Sequence, residues 1–165
     1  MVQPHELRCY QYVNRPYEKV REALRADPGG IFQRATMGAA SRADKLAANL
    51  RVELAGLEVG REVTITIVGV EDREPQGGRR VDGTRIRLTW QAARAAGIFP
   101  SMEAELAIYP LSAEETQLDL HGVYRPPLGV FGNAVDSLVG HRLADASVHR
   151  FVEDIARLLS AELPA

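Results

Sequence analysis

Cysteine is almost missing from this chain: Cys9 stands alone among 165 residues. An internal disulfide is thereby excluded, as is any metal site built on paired cysteines. Long apolar runs are missing too; none approaches the ~18 residues that span a bilayer. The opening MVQPHELRCY lacks the basic-then-apolar layout of a signal peptide. Together these absences predict a reduced, cytoplasmic protein without an integral membrane segment. Excess charge of one sign is also lacking. Twenty Lys and Arg against 22 Asp and Glu give a net charge of −2 and a pI near 6.1, so nothing draws the chain to phosphate backbones and no nucleic-acid partner is expected. The glycine pairs at 29–30 and 77–78 have neither the spacing nor the lysine of a phosphate loop, and no GxGxxG joins a strand to a helix. No serine sits in a nucleophile elbow. No cofactor is expected.

What is present is a globular composition, 45% hydrophobic and 25% charged, in a chain long enough to bury roughly two-thirds of its unfolded surface as one domain, 1–165. Alternation marks strands at Leu7–Val13, Leu46–Leu54, Val63–Ile67, Arg85–Trp90, Met102–Tyr109 and Thr116–Arg125, with a further short one at Ile31–Thr36. Tyr17, Val20 and Leu24 carry a helical period, with Asn14 as cap and Pro16 in the first turn. Asp27-Pro28-Gly29-Gly30 closes that helix. Glu71–Gly83 reads as a charged hairpin loop. After Pro126-Pro127 no proline occurs from Leu128 to Leu163, which predicts one long amphipathic helix. Gly129, Gly132 and Gly140 weaken its first half, so Leu143–Leu159 is its firm part. Each strand has one apolar face, so the sheet is antiparallel with one solvated side, and only the terminal helix is long enough to cover the other.

This order resembles the START-like (SRPBCC) superfamily, which includes polyketide cyclases, plant pathogenesis-related proteins and lipid-transfer domains. Three segments carry the resemblance: Val13-Asn14-Arg15-Pro16-Tyr17-Glu18-Lys19-Val20, Leu57-Glu58-Val59-Gly60-Arg61-Glu62-Val63, and Tyr124-Arg125-Pro126-Pro127-Leu128-Gly129. It implies an α+β helix-grip fold, with a curved antiparallel sheet of about six to seven strands wrapped on a long C-terminal helix. One departure is expected. Such proteins place two short helices after the first strand, and residues 27–44 hold too many glycines for a clear second one.

A helix laid across a concave apolar face encloses a cavity, and the expected ligand is a hydrophobic small molecule such as a lipid, isoprenoid or aromatic compound. Leu88, Trp90, Leu106 and Leu120 fall on the apolar faces, and Phe131 falls in the glycine-rich half of the terminal segment. The polar candidates are Gln11, Tyr124, His141 and Asp145. Every one of these has a structural reading: the apolar residues as packed core, Gln11, Trp90 and Tyr124 as satisfied interior hydrogen bonds, and Asp145 as a surface ion pair with Arg142. In the functional reading, Asp145 orients the imidazole of His141, which binds a ligand hydroxyl or acts as general base. His141, Asp145 and His149 stand at i, i+4 and i+8, a spacing that makes a poor metal site, and none is expected. Tyr10, Tyr12, Tyr109 and His121 fall on the solvated face, where a protein partner or a second copy is the alternative reading. Whether the cavity binds, or folds a substrate as a cyclase or isomerase, is left open by the residues.

Overall fold

A computed structural model describes residues 4–35, 63–73, 83–92, 101–125 and 135–165 of the chain. Strand β1 (His5–Val13) leads into helix α1 (Tyr17–Ala26), and a second helix, α2, spans 28–35. Strands β2 (Val63–Arg73), β3 (Gly83–Ala92), β4 (Ser101–Pro110) and β5 (Thr116–Arg125) follow, then helix α3 (Val135–Glu162). The described strands form one antiparallel sheet in the order β1-β5-β4-β3-β2. The anticipated strand at 46–54 lies outside the described residues. No helix among them is long and apolar enough to cross a membrane.

Two local expectations change. Pro16, with φ −56° and ψ 141°, is itself the cap of α1, and its carbonyl accepts from the Lys19 and Val20 amides. Asn14 lies outside the helix. The second change is larger: residues 28–35 are helical, where Ile31–Thr36 was expected to be a strand. Asp27 accepts the Gly30 amide on its carboxylate at 2.8 Å and the Ile31 amide on its carbonyl at 3.2 Å. Pro28 in the first turn is pre-set for a helix. These start signals outweigh the two glycines, and burial of Ile31, Phe32 and Ala35 on one side completes the helix. The pair of short helices expected of the resembled family is therefore present.

The hairpin between β2 and β3 is longer than alternation implied, since Glu71, Asp72 and Arg73 pair with Arg85, Thr84 and Gly83. Within β2 the register slips between Ile67 and Gly69. Val68 is the extra residue of this bulge and is 59% exposed. The slip inverts the alternation: Ile65 and Ile67 face the helix side before it, Val70 and Asp72 after it. Asp72 therefore meets α1, accepting from Arg21 at 2.7 Å, from the Thr84 hydroxyl at 2.8 Å, and from Arg25. Tyr17 donates to the same threonine at 2.8 Å.

Helix α3 packs chiefly on β1, and its C-terminal end is tied down. Arg15 donates to the carbonyls of Leu163 at 2.7 Å and Ser160 at 2.6 Å, a cation placed where the last carbonyls and the helix dipole favour one. Thr116 in turn donates to the Arg15 carbonyl at 2.7 Å. Arg15→Ala is expected to lower stability by about 1–2 kcal/mol in urea unfolding, with Arg15→Lys recovering part of it. Unchanged stability in Arg15→Ala would remove the clamp from the account.

Candidate ligand site

Four transverse rows of helix-facing side chains cross all five described strands. At the α1 end run Asp72, Thr84, Ile108, Leu118 and Gln11. Next come Val70, Ile86, Leu106, Leu120 and Cys9, then Ile67, Leu88, Ala104, Gly122 and Leu7. At the far end stand Ile65, Trp90, Met102, Tyr124 and His5. The centre is packed: Leu106 and Leu120 are fully buried and Leu88 is 1% exposed. It opens at the margins, where Ile65, Ile67, Val70, Gln11 and His5 are only half-buried.

The third row carries the smallest side chains, and Met102 fills the space over them. Ala104 and Gly122 are small neighbours, and Met102 leans into the space, its sulfur 2.8 Å from where a Cβ on Gly122 would stand. A thioether on three rotatable bonds is a filler that can move aside. Over the fourth row lies an aromatic group. Trp90 meets Phe151 of α3 edge-on at 5.2 Å, and Phe151 meets Phe32 of α2 at 5.5 Å.

The polar residues gather at the β1–β5 corner of the far row. His5 and Tyr124 are register partners, and their rings stack with centroids 5.5 Å apart. Tyr124 is 1% exposed and Cys9 is 3% exposed. Burial, helped by the Asp145 carboxylate, pushes the Tyr124 hydroxyl up to about 12. Burial, with Asp119 and Asp145 adding to it, pushes the Cys9 thiol up to about 12. Tyr124 is therefore a phenol at neutral pH, able to donate and unfit as a base, and Cys9 is an unreactive thiol.

The candidates named from sequence thus divide. Tyr124 and Asp145 come to the same corner. Leu88, Trp90, Leu106 and Leu120 share the helix-facing side of the sheet and are buried in the core. Gln11 shares the face but sits six residues along β1 from His5, about 20 Å away at strand spacing. Phe131 and the side chain of His141 lie outside the described residues. Asp145 and His149 are exposed. Sequence reading missed His5, although the alternation of Leu7, Cys9 and Gln11 extends back to it. It also missed Phe32 and Phe151, which look like ordinary helix core until the sheet is assembled. On the solvated face, Tyr10 and Tyr12 are 55% and 49% exposed with rings 5.6 Å apart. Nearby, Arg8 grips the buried Asp119 carboxylate at 3.1 and 2.5 Å. The described residues contain no cluster suited to a metal ion.

No family model matches the chain, and no curated protein matches it in sequence. Solved structures do. An aromatase/cyclase, Zhui, from Streptomyces sp. R1128 is 14% identical with a TM-score of 0.52, over 99% of this chain and 98% of that one. The chain has a helix-grip fold. The chain is also similar to Ara h 8.0201 (9% identity, TM-score 0.48, 97% and 100% covered) and to norcoclaurine synthase from Thalictrum flavum (8%, 0.44, 99% and 91%). At 14% identity the likeness to the aromatase/cyclase establishes architecture alone, and a helix-grip frame does not by itself assign an activity.

Proposed function

We propose that this helix-grip chain binds a hydrophobic small molecule, a lipid, isoprenoid or aromatic compound, between the concave face of the sheet and α3. The observation that carries this reading is an apolar face that stays half-open along β2 and ends in a polar corner at Tyr124, His5 and Asp145. Leu88, Trp90, Leu106 and Leu120 would supply the floor, with Met102 yielding as the ligand enters. Tyr124 would donate to a ligand oxygen, and Gln11 would meet the ligand's far end. A cyclase or isomerase using the same cavity needs a base. Tyr124 keeps its proton to high pH, which leaves the imidazoles of His5 and His141 as candidates; binding requires no base and stands ahead of turnover.

Native mass spectrometry of freshly purified protein tests the reading. A discrete extra mass that leaves on denaturation is expected, or uptake of a neutral dye such as Nile red where the protein arrives empty. Tyr124→Phe should weaken binding about tenfold, the worth of one interior hydrogen bond. A clean mass together with no dye uptake would overturn the proposal. A second reading, a protein partner or second copy on the solvated face, is favoured by the exposed Tyr10–Tyr12 pair. A strict monomer by light scattering with no partner in pull-down would dismiss it.

A further inference from the structure

The buried stripe of α3 runs through Val148, Val152, Ile155 and Leu159. Asp145 precedes Val152 by seven residues, which at 3.6 residues per turn puts the two within about 20° of one direction. An aspartate thus stands in line with the inward stripe, N-terminal to Val148, and it is exposed there. Its carboxylate acts on Tyr124 and Cys9, both sheet residues closed to solvent, so it looks toward the concave face. Farther along the helix, Glu153 and Asp154 are both paired with Arg150 and Arg157. Asp145 has no hydrogen bond or ion pair with any described residue. A carboxylate in that position contributes nothing to packing. Beside an apolar surface, where water is thinned, its field is less screened than in bulk.

We propose that Asp145 sets the charge selectivity of the site, favouring an apolar ligand with a protonated amine head and turning away one that ends in a carboxylate. The proposal rests on the ligand-binding reading above. A cationic head would meet the Asp145 carboxylate through a charge-assisted hydrogen bond. Tyr124, kept as a phenol, neither opposes that cation nor offers one to an anion. A fatty acid entering head-first would place like charges together with no described cation at the corner to offset them.

Three probes sharing one ring system decide the matter: naphthylethylamine, naphthylethanol and naphthylacetate, titrated by calorimetry at pH 8, where the amine is protonated and the acid ionised. The amine is expected to bind at least about tenfold more tightly than the acetate, with the alcohol between them. In Asp145→Asn the amine and acetate should come within about threefold of each other, while Asp145→Glu keeps the order. Asp145 is exposed, so neither variant endangers the fold. If the alcohol binds but the amine and acetate bind equally, the charge proposal fails and the ligand site stands. A preference that survives in Asp145→Asn assigns the selectivity elsewhere and also overturns it. If none of the three binds, the ligand reading falls, and this proposal with it.

Discussion

Phe151→Ala is expected to destabilise the protein by about 3–5 kcal/mol, the cost of removing a large buried ring and leaving a cavity. Phe151 is fully buried on α3 and meets two other rings edge-on, Trp90 of β3 and Phe32 of α2. Each such pair adds about 0.5–1.5 kcal/mol beyond the area it buries. Three elements far apart in sequence therefore share one side chain, and none has a local substitute for it. A domain of this size holds only about 5–15 kcal/mol in total, so the variant should sit close to unfolding at 37 °C. Trp90 is the only tryptophan in the chain, and its emission should shift to the red as solvent reaches it. Phe151→Leu, which keeps most of the volume, should lose appreciably less. Urea unfolding followed by tryptophan emission measures both quantities. A loss under about 1 kcal/mol for Phe151→Ala, with emission unchanged, would mean that the aromatic group does not join α2, α3 and the sheet.

How far such features can be read in advance depends on the range over which they are determined. Ile86, Leu88 and Trp90 alternate with Arg85, Arg87 and Thr89 because the sheet has one solvated face, and that contrast is written residue by residue. The same holds for Leu118 and Leu120 against Gln117 and His121. Helix α2 was obscured by Gly29 and Gly30, whose propensity is poor, although Asp27-Pro28 is a sound helix start. Burial of Phe32 against Phe151 is what decides in the helix's favour, and that contact spans most of the chain. The bulge at Val68 is invisible to any periodic template: one inserted residue reverses the faces of everything after it, which is why Asp72 was placed in a loop. Asp145 was visible as an interruption of the α3 stripe. An i, i+3 pairing with Arg142 explained that interruption equally well. Tyr124 and Cys9, which its charge reaches, come together only through the pairing of β1 with β5, so no local pattern could weigh the inward reading against the surface one.

The residue that the bulge re-aims carries the second large effect. Asp72→Asn should lower stability by about 1–2 kcal/mol at pH 7, a discounted figure because 34% of the side chain meets water. The hydrogen bond from Arg21 is the main cause that holds the Asp72 carboxyl well below the usual carboxylate range; burial opposes it as the next largest influence, and Thr84 and the charges of Arg21 and Arg25 add to the lowering. An asparagine can still accept from Thr84, but its amide turns two donor hydrogens toward guanidiniums that need an acceptor. The pH dependence follows from the direction of the shift. At neutral pH the carboxylate is ionised in both the folded and unfolded chain, and its stabilisation is fully present. Below the ordinary carboxylate value near ~4 the unfolded chain takes up the proton while the folded chain resists, so the stabilisation drains away as pH falls. The gap between wild type and Asp72→Asn should therefore be constant from pH 7 down to about 5, narrow through pH 4, and be smallest near pH 2.5. Urea midpoints at those four values measure it. Equal stabilities at pH 7, or a gap that persists undiminished to pH 2.5, would show that α1 is not held to β2 through this charge. In that case the buried Tyr17–Thr84 hydrogen bond, which no pH in this window titrates, would be left to tie α1 to the sheet through β3.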